Sequence, residues 1–308
     1  MYTLVPDHVR CDLDWMAGAG ASVVAIGILE QDFTAARENI DFVCQEAEKR
    51  GMEVWAVPSR WGNLVAGCPK VPSILSATVH DCWALNREGK PCMGFLGPYA
   101  SVHAPQTQER FHQLLEQTLS FWPMQGIIWD EPKALRVCDF SAHACAALAD
   151  KVDDVTLQLQ AQAGFFGKLN RLVHSVRPEI KTLAFVYANL PDDVLHAMAA
   201  IDGLDIYGCD GRPWSLTDSG PSDGDNTKPA EKLLIDHGGR FIAAARKHSR
   251  DSMALIENHA MPVSALPLME RRLPEVISMG WDWLFYYYFP RSCQSPERNM
   301  DIIKRALI

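Results

Sequence analysis

Two kinds of run alternate along the chain. Short apolar or β-branched runs bounded by turn residues recur at 22–29 (SVVAIGIL), 53–57, 92–96, 126–129, 181–187, 204–208, 253–256 and 281–287. Runs of this length and composition predict buried strands. Between them, apolar residues fall three and four apart, the spacing of a helix with one buried face. In 34–50, Ala36, Ile40, Val43, Cys44 and Ala47 share a face, and Gly51 ends the helix. Similar helices are predicted at 106–121, where Phe111, Leu114, Leu115 and Leu119 line one side, and at 141–176, 191–200, 229–248, 268–279 and 296–307. A short helix at 10–18 leads the chain. The helix at 141–176 is expected to break near Gly164 and Gly167, and the one at 268–279 to be interrupted, or to start late, at Pro274.

Eight strands alternating with helices predict an α/β chain with a parallel sheet closed as a single (β/α)8 TIM barrel, one domain over 1–308. With 308 residues, 48% of them hydrophobic, the chain can fill one large core. Two segments, 58–90 and 209–228, are too polar and broken for core elements and read as long functional loops. In such barrels the carboxyl ends of the strands carry the chemistry.

Charge and cysteine usage then exclude several classes. A net charge of −9 without a basic run argues against a nucleic-acid partner. No stretch approaches the 18 or so apolar residues of a membrane helix, and the charged, proline-containing start does not read as a signal peptide. Nine scattered cysteines without a CxxC pair read as free thiols in a reducing compartment, so a cytoplasmic location is expected. No GxGxxG follows a strand and no HExxH occurs, so no cofactor or metal is expected. Nothing in the pattern fixes an oligomeric state.

The stretch QGIIWDEPK, 125–133, places two carboxylates, Asp130 and Glu131, at the end of the fourth predicted strand, and Pro132 stops that strand. The seventh predicted strand ends at Glu257. Carboxylates at these two strand ends can converge over a barrel mouth. Two facing carboxyl groups suit cleavage of a glycosidic bond, one protonating the leaving oxygen and the other attacking the sugar or activating water. A surface carboxylate capping the next helix would be the plain alternative for Glu131, and a polar rim residue that for Glu257. Trp61, Trp214, Trp283 and Tyr287 are candidates for stacking on sugar faces. Arg60 is a candidate partner for Glu257, and Tyr187 and Asp210, at the ends of the fifth and sixth predicted strands, for binding a hydroxyl or supporting a carboxylate.

WDEP, Trp129–Pro132, and LIENH, Leu255–His259, resemble the strand-four and strand-seven motifs of the clan A glycoside hydrolases. GWDWLFYYYFP, 280–290, is similar to that clan's aromatic last strand. The resemblance implies a retaining hydrolase of an oligosaccharide or small glycoside, with Glu131 as acid/base and Glu257 as nucleophile. Retention requires about 5–5.5 Å between the two carboxyl groups. One position departs from the clan: Asp130 stands where an Asn is usual, and a carboxylate accepts but does not donate a hydrogen bond. An adjacent Asp-Glu pair also resembles the hexosaminidase barrels, which implies substrate-assisted cleavage in which Asp130 orients an acetamido group. Two further readings remain: a metal-dependent sugar isomerase or lyase using Glu257, His259 and Asp210, and a barrel that binds carbohydrate without turnover.

Overall fold

The computed structural model describes residues 5–67, 71–132, 138–222, 225–287 and 293–307. The main sheet has seven strands: β1 (Val23–Ile28), β2 (Glu53–Pro58), β3 (Gly126–Asp130), β4 (Lys181–Tyr187), β5 (Ile206–Gly211), β6 (Asp251–Ile256) and β7 (Trp283–Tyr286). They neighbour one another in chain order. The pairs β1–β2, β2–β3, β5–β6 and β6–β7 are all parallel. The fold is therefore α/β and TIM-barrel-like, with seven sheet strands among the described residues.

The missing eighth strand is the third predicted one, 92–96. There Met93–Gly94 pairs antiparallel with Gly97–Pro98 in a small hairpin outside the main sheet. Gly97 adopts φ +131°, which a glycine tolerates and which turns the chain back before the run reaches strand length.

The chain forms two compact units. The first comprises 1–14, 22–184 and 200–204 and holds β1, β2, β3 and the start of β4. Its longer helices are α1 (Pro6–Gly18, whose last residues fall in the second unit), α2 (Arg37–Glu48), α3 (Pro105–Phe121) and α4 (Val155–Val176). Its core is aromatic: Trp55, Trp61, Trp122, Trp129, Phe111 and Phe166 are wholly buried. Gly126 faces Trp55 in the register, and a Cβ there would lie 2.2 Å from the indole, so the ring requires a glycine on the neighbouring strand. Trp129 donates its indole N–H to Asn170 Oδ1 at 2.8 Å, which satisfies a polar atom at the centre of this core.

The helix predicted at 141–176 does break, but not at its glycines. Ala142–Leu148 ends first, and α4 restarts at Asp154, whose carboxylate accepts from the N–H groups of Thr156 and Leu157. Gly164 and Gly167 lie inside continuous helix. A side-chain cap thus outweighs two poor helix formers.

The second unit comprises 15–21, 185–199 and 205–308 and holds the end of β4 with β5, β6 and β7. Its helices are α5 (Asp192–Ala199), α6 (Leu234–Lys247), α7 (Leu266–Ser278) and α8 (Pro296–Leu307). α7 runs through Pro274 without interruption, contrary to the sequence expectation. α6 begins at Leu234 rather than at the predicted Pro229. The preceding segment stays extended and pairs with the end of β5 through Arg212 and Leu233. Among the described residues no helix is long and apolar enough to cross a membrane, and every cysteine is a free thiol.

Candidate functional site

In the first unit the two carboxylates of WDEP stand at the carboxyl end of β3. The Asp130 carbonyl accepts from Ala66 N at 2.7 Å, which ties the strand end to the loop after β2. Glu131 is 8% exposed and adopts φ +38°. A left-handed, non-glycine residue stores strain that the surroundings must hold in place, and such strain clusters at working sites. The burial removes the reading of Glu131 as a surface carboxylate.

The loop after β2 carries Arg60, Trp61 and Asn63. Arg60 and Asn63 are also left-handed, and Arg60 donates to the Gly67 carbonyl at 2.5 Å. Trp61 is not a sugar platform: its ring is wholly buried, meets Phe111 edge-on at 5.7 Å and donates to the Ile28 carbonyl at 2.9 Å. Glu30, just after β1, anchors this loop from below. Its buried carboxylate accepts from Ser73 Oγ at 2.5 Å and from Leu75 N at 3.0 Å.

In the second unit, Tyr187, Asp210 and Glu257 stand at the carboxyl ends of β4, β5 and β6, and Lys232 joins them. The Lys232 ammonium lies 3.3 Å from Asp210 Oδ2, 3.1 Å from Glu257 Oε1 and 4.1 Å from the centre of the Tyr187 ring. Both carboxylates are nearly sealed from solvent, at 2% exposure each. Glu257 Oε2 takes no hydrogen bond among the described residues. Beneath them Cys209 is fully buried. Burial, with the charges of Asp210 and Glu257 added, pushes its thiol well up, so it stays protonated and neutral.

The backbone around Glu257 is held by two residues that the sequence reading passed over. Arg212, also buried, donates from Nη1 to the carbonyls of Glu257 (2.7 Å) and His259 (2.6 Å). Asn258 extends the β6–β7 pairing with its side chain: Nδ2 donates to the Tyr287 carbonyl at 2.9 Å and Oδ1 accepts from Tyr287 N at 2.8 Å. Asn299 on α8 closes this lock, donating to the Asn258 carbonyl at 2.7 Å. Tyr287 is thereby brought against His259, ring centres 4.5 Å apart.

Of two other predicted aromatics, one packs beside this group, its ring centre 5.7 Å from the Arg212 guanidinium carbon, and the other lies at the far end of its strand. Trp214 is wholly buried, packed beneath Gly220, where a Cβ would lie 2.3 Å from the indole nitrogen. Trp283 opens β7 at its amino end, the end away from the chemistry, and donates to Asp251 at 3.0 Å. Residues 288–290 of the aromatic run lie outside the described residues. Lys232 occupies one oxygen of each carboxylate, so its ammonium already supplies positive charge where a divalent ion using Asp210 and Glu257 would supply it.

No family model matches the chain, and no curated protein matches it in sequence. Solved structures do match in fold. The PgaB (BpsB) glycoside hydrolase domain of Bordetella bronchiseptica superposes with TM-score 0.59 at 13% identity, covering 93% of this chain and 89% of that one. The cold-adapted β-galactosidase of Rahnella sp. R3 gives TM-score 0.58 at 12% identity, over 98% of this chain and 53% of that one. The GH20 exo-β-N-acetylglucosaminidase of Vibrio harveyi, in complex with N-acetylglucosamine, gives 0.57 at 9%, over 98% and 52%. The chain spans about half the length of the last two. The likeness to these glycoside hydrolases is one of fold, and the fold is TIM-barrel-like.

Proposed function

We propose that this chain is a glycoside hydrolase of the retaining type, with Glu257 as nucleophile and Glu131 as acid/base. The environment of Glu257 carries the reading. It is a buried carboxylate at the carboxyl end of a parallel strand, with one oxygen on a lysine ammonium and the other taking no hydrogen bond among the described residues. Such a group is largely desolvated, keeps a counter-charge and has an oxygen available for attack on a sugar carbon. Glu131, strained and buried just after β3, is the second carboxylate the reading needs and takes the part of the acid/base. Tyr187, Asp210 and Tyr287 are then the substrate-facing residues, and the ligand is a carbohydrate.

A second reading stays open on one observation. A GH20 exo-β-N-acetylglucosaminidase is among the fold neighbours, and the adjacent Asp130 and Glu131 match what substrate-assisted cleavage needs. A metal-dependent isomerase or lyase is less well supported, because Lys232 already holds the two carboxylates such a metal would use.

The test is hydrolysis of a panel of α- and β-aryl glycosides, including N-acetylglucosaminides. Glu131→Gln is expected to lower kcat by about 10²–10⁴-fold, the usual contribution of a general acid. Glu257→Ala is expected to be inactive and to regain turnover with azide, forming a glycosyl azide. Full activity of Glu257→Gln on acetamido sugars, with loss in Asp130→Asn, would replace the retaining reading by the substrate-assisted one. Activity abolished by a chelator and restored by a divalent metal would replace both.

A further inference from the structure

Lys232 reaches the two carboxylates from a segment tied to the chain at the end of β5. Its own carbonyl accepts from Arg212 N at 2.7 Å, and Leu234 N donates to the Arg212 carbonyl at 3.0 Å. Gly211 lies so close that a Cβ there would sit 2.8 Å from the Lys232 carbonyl oxygen, so the glycine is what lets the segment approach the strand. The side chain then passes over the Tyr187 ring and ends between Asp210 and Glu257.

The other charged and titratable groups of this unit have contacts of their own. The Arg212 guanidinium is directed at the carbonyls of Glu257 and His259, and Arg240 on α6 at Asp192 and the Leu190 carbonyl. Cys209 is a neutral thiol, Tyr187 gives the ammonium its ring face, and His259 lies against Tyr287. Two carboxylates deprived of water resist ionising together unless a cation lies between them.

We propose that Lys232 is a positioning residue of this site. Its ammonium keeps Asp210 and Glu257 ionised together and fixes which Glu257 oxygen is occupied and which is directed to the ligand. Its meaning for catalysis rests on the reading of Glu257 as nucleophile, whereas the charge relation rests on the geometry alone.

The experiment compares the full-length wild type with Lys232→Met and Lys232→Arg by infrared difference spectroscopy at neutral pH. Lys232→Met is expected to show a protonated-carboxyl band beyond any present in wild type and Lys232→Arg, and Asp210→Asn/Lys232→Met is expected to lose it. A folded Lys232→Met without that band overturns the proposal. Should Lys232→Met fail to fold, the double variant decides: removing the like charge along with the ammonium is expected to restore folding, and a double variant that stays unfolded overturns the proposal. In the glycosidase assay, the acidic limb of the kcat/KM profile is expected to move up by about one pH unit or more in Lys232→Met and to return in Lys232→Arg. An unmoved limb overturns it as well. Wild type that hydrolyses no glycoside removes the hydrolase reading and leaves the infrared result to judge Lys232 by itself.

Discussion

At the scale of single residues, the site depends on side chains whose work is to hold other groups still. Asn258 imitates a strand with its amide, pairing both ways with the Tyr287 backbone. Asn258→Ala leaves a part-buried N–H and C=O of Tyr287 without those partners and is expected to cost about 1–3 kcal/mol in all. Urea denaturation is the check, and an unchanged midpoint would contradict the lock. Gly126 makes the opposite demand, for absence of a side chain. Gly126→Val must displace the buried Trp55 ring and is expected to destabilise by about 1–3 kcal/mol, read in the same way.

At the scale of elements, two helix starts differ from what periodicity indicates, and each has a local cause. α4 starts at Asp154 because its carboxylate caps two N–H groups. Asp154→Ala is expected to lower stability by about 0.5–2 kcal/mol and to fray the first turn, while Asp154→Ser should retain most of it. Amide hydrogen exchange at Thr156 and Leu157 separates the two outcomes. α6 starts late because 232–233 pairs with the chain at the end of β5 rather than coiling. That choice delivers Lys232 to the carboxylates. A helix over 229–248 would have carried it elsewhere, so the residue was invisible to a reading that began the helix at Pro229.

For the whole molecule, pH is the lever on stability. The Lys49 and Arg50 side chains beside Glu46 hold its carboxyl down at about 2. A carboxyl lowered on folding stabilises the protein above its unfolded value, and that contribution drains away as pH falls from about 4.5 towards 2. Asp218, held down by Arg272, and Asp282, held down by hydrogen bonds from Ser252, act in the same direction. His103, His237 and His248 are lowered by burial. They therefore favour the folded state above their unfolded value of about 6.5 and withdraw that support below it. The melting temperature is expected to fall steadily from about pH 7 to about pH 3. Glu46→Gln is expected to flatten the lower part of that curve, and an identical curve for the variant would contradict the assignment.

Strand-length apolar runs, helix periodicity and two strand-end carboxylate motifs were legible from the sequence because they are local. A few consecutive residues decide whether a segment is apolar enough to be a strand, and where its last residue falls. From these came the α/β barrel class, most of the helices between the strands, and the attention to Glu131 and Glu257. The register of one strand on the next, and which rings close the core, are decided only when distant segments meet. Hence Trp61 and Trp214 belong to the packing and Trp283 to the wrong end of its strand, although each looked equally suited to a sugar. The run at 92–96 had a strand's composition but found no place in the main sheet. The charge partner of Glu257 comes from a residue 25 positions away, through a backbone pairing that no local pattern announces.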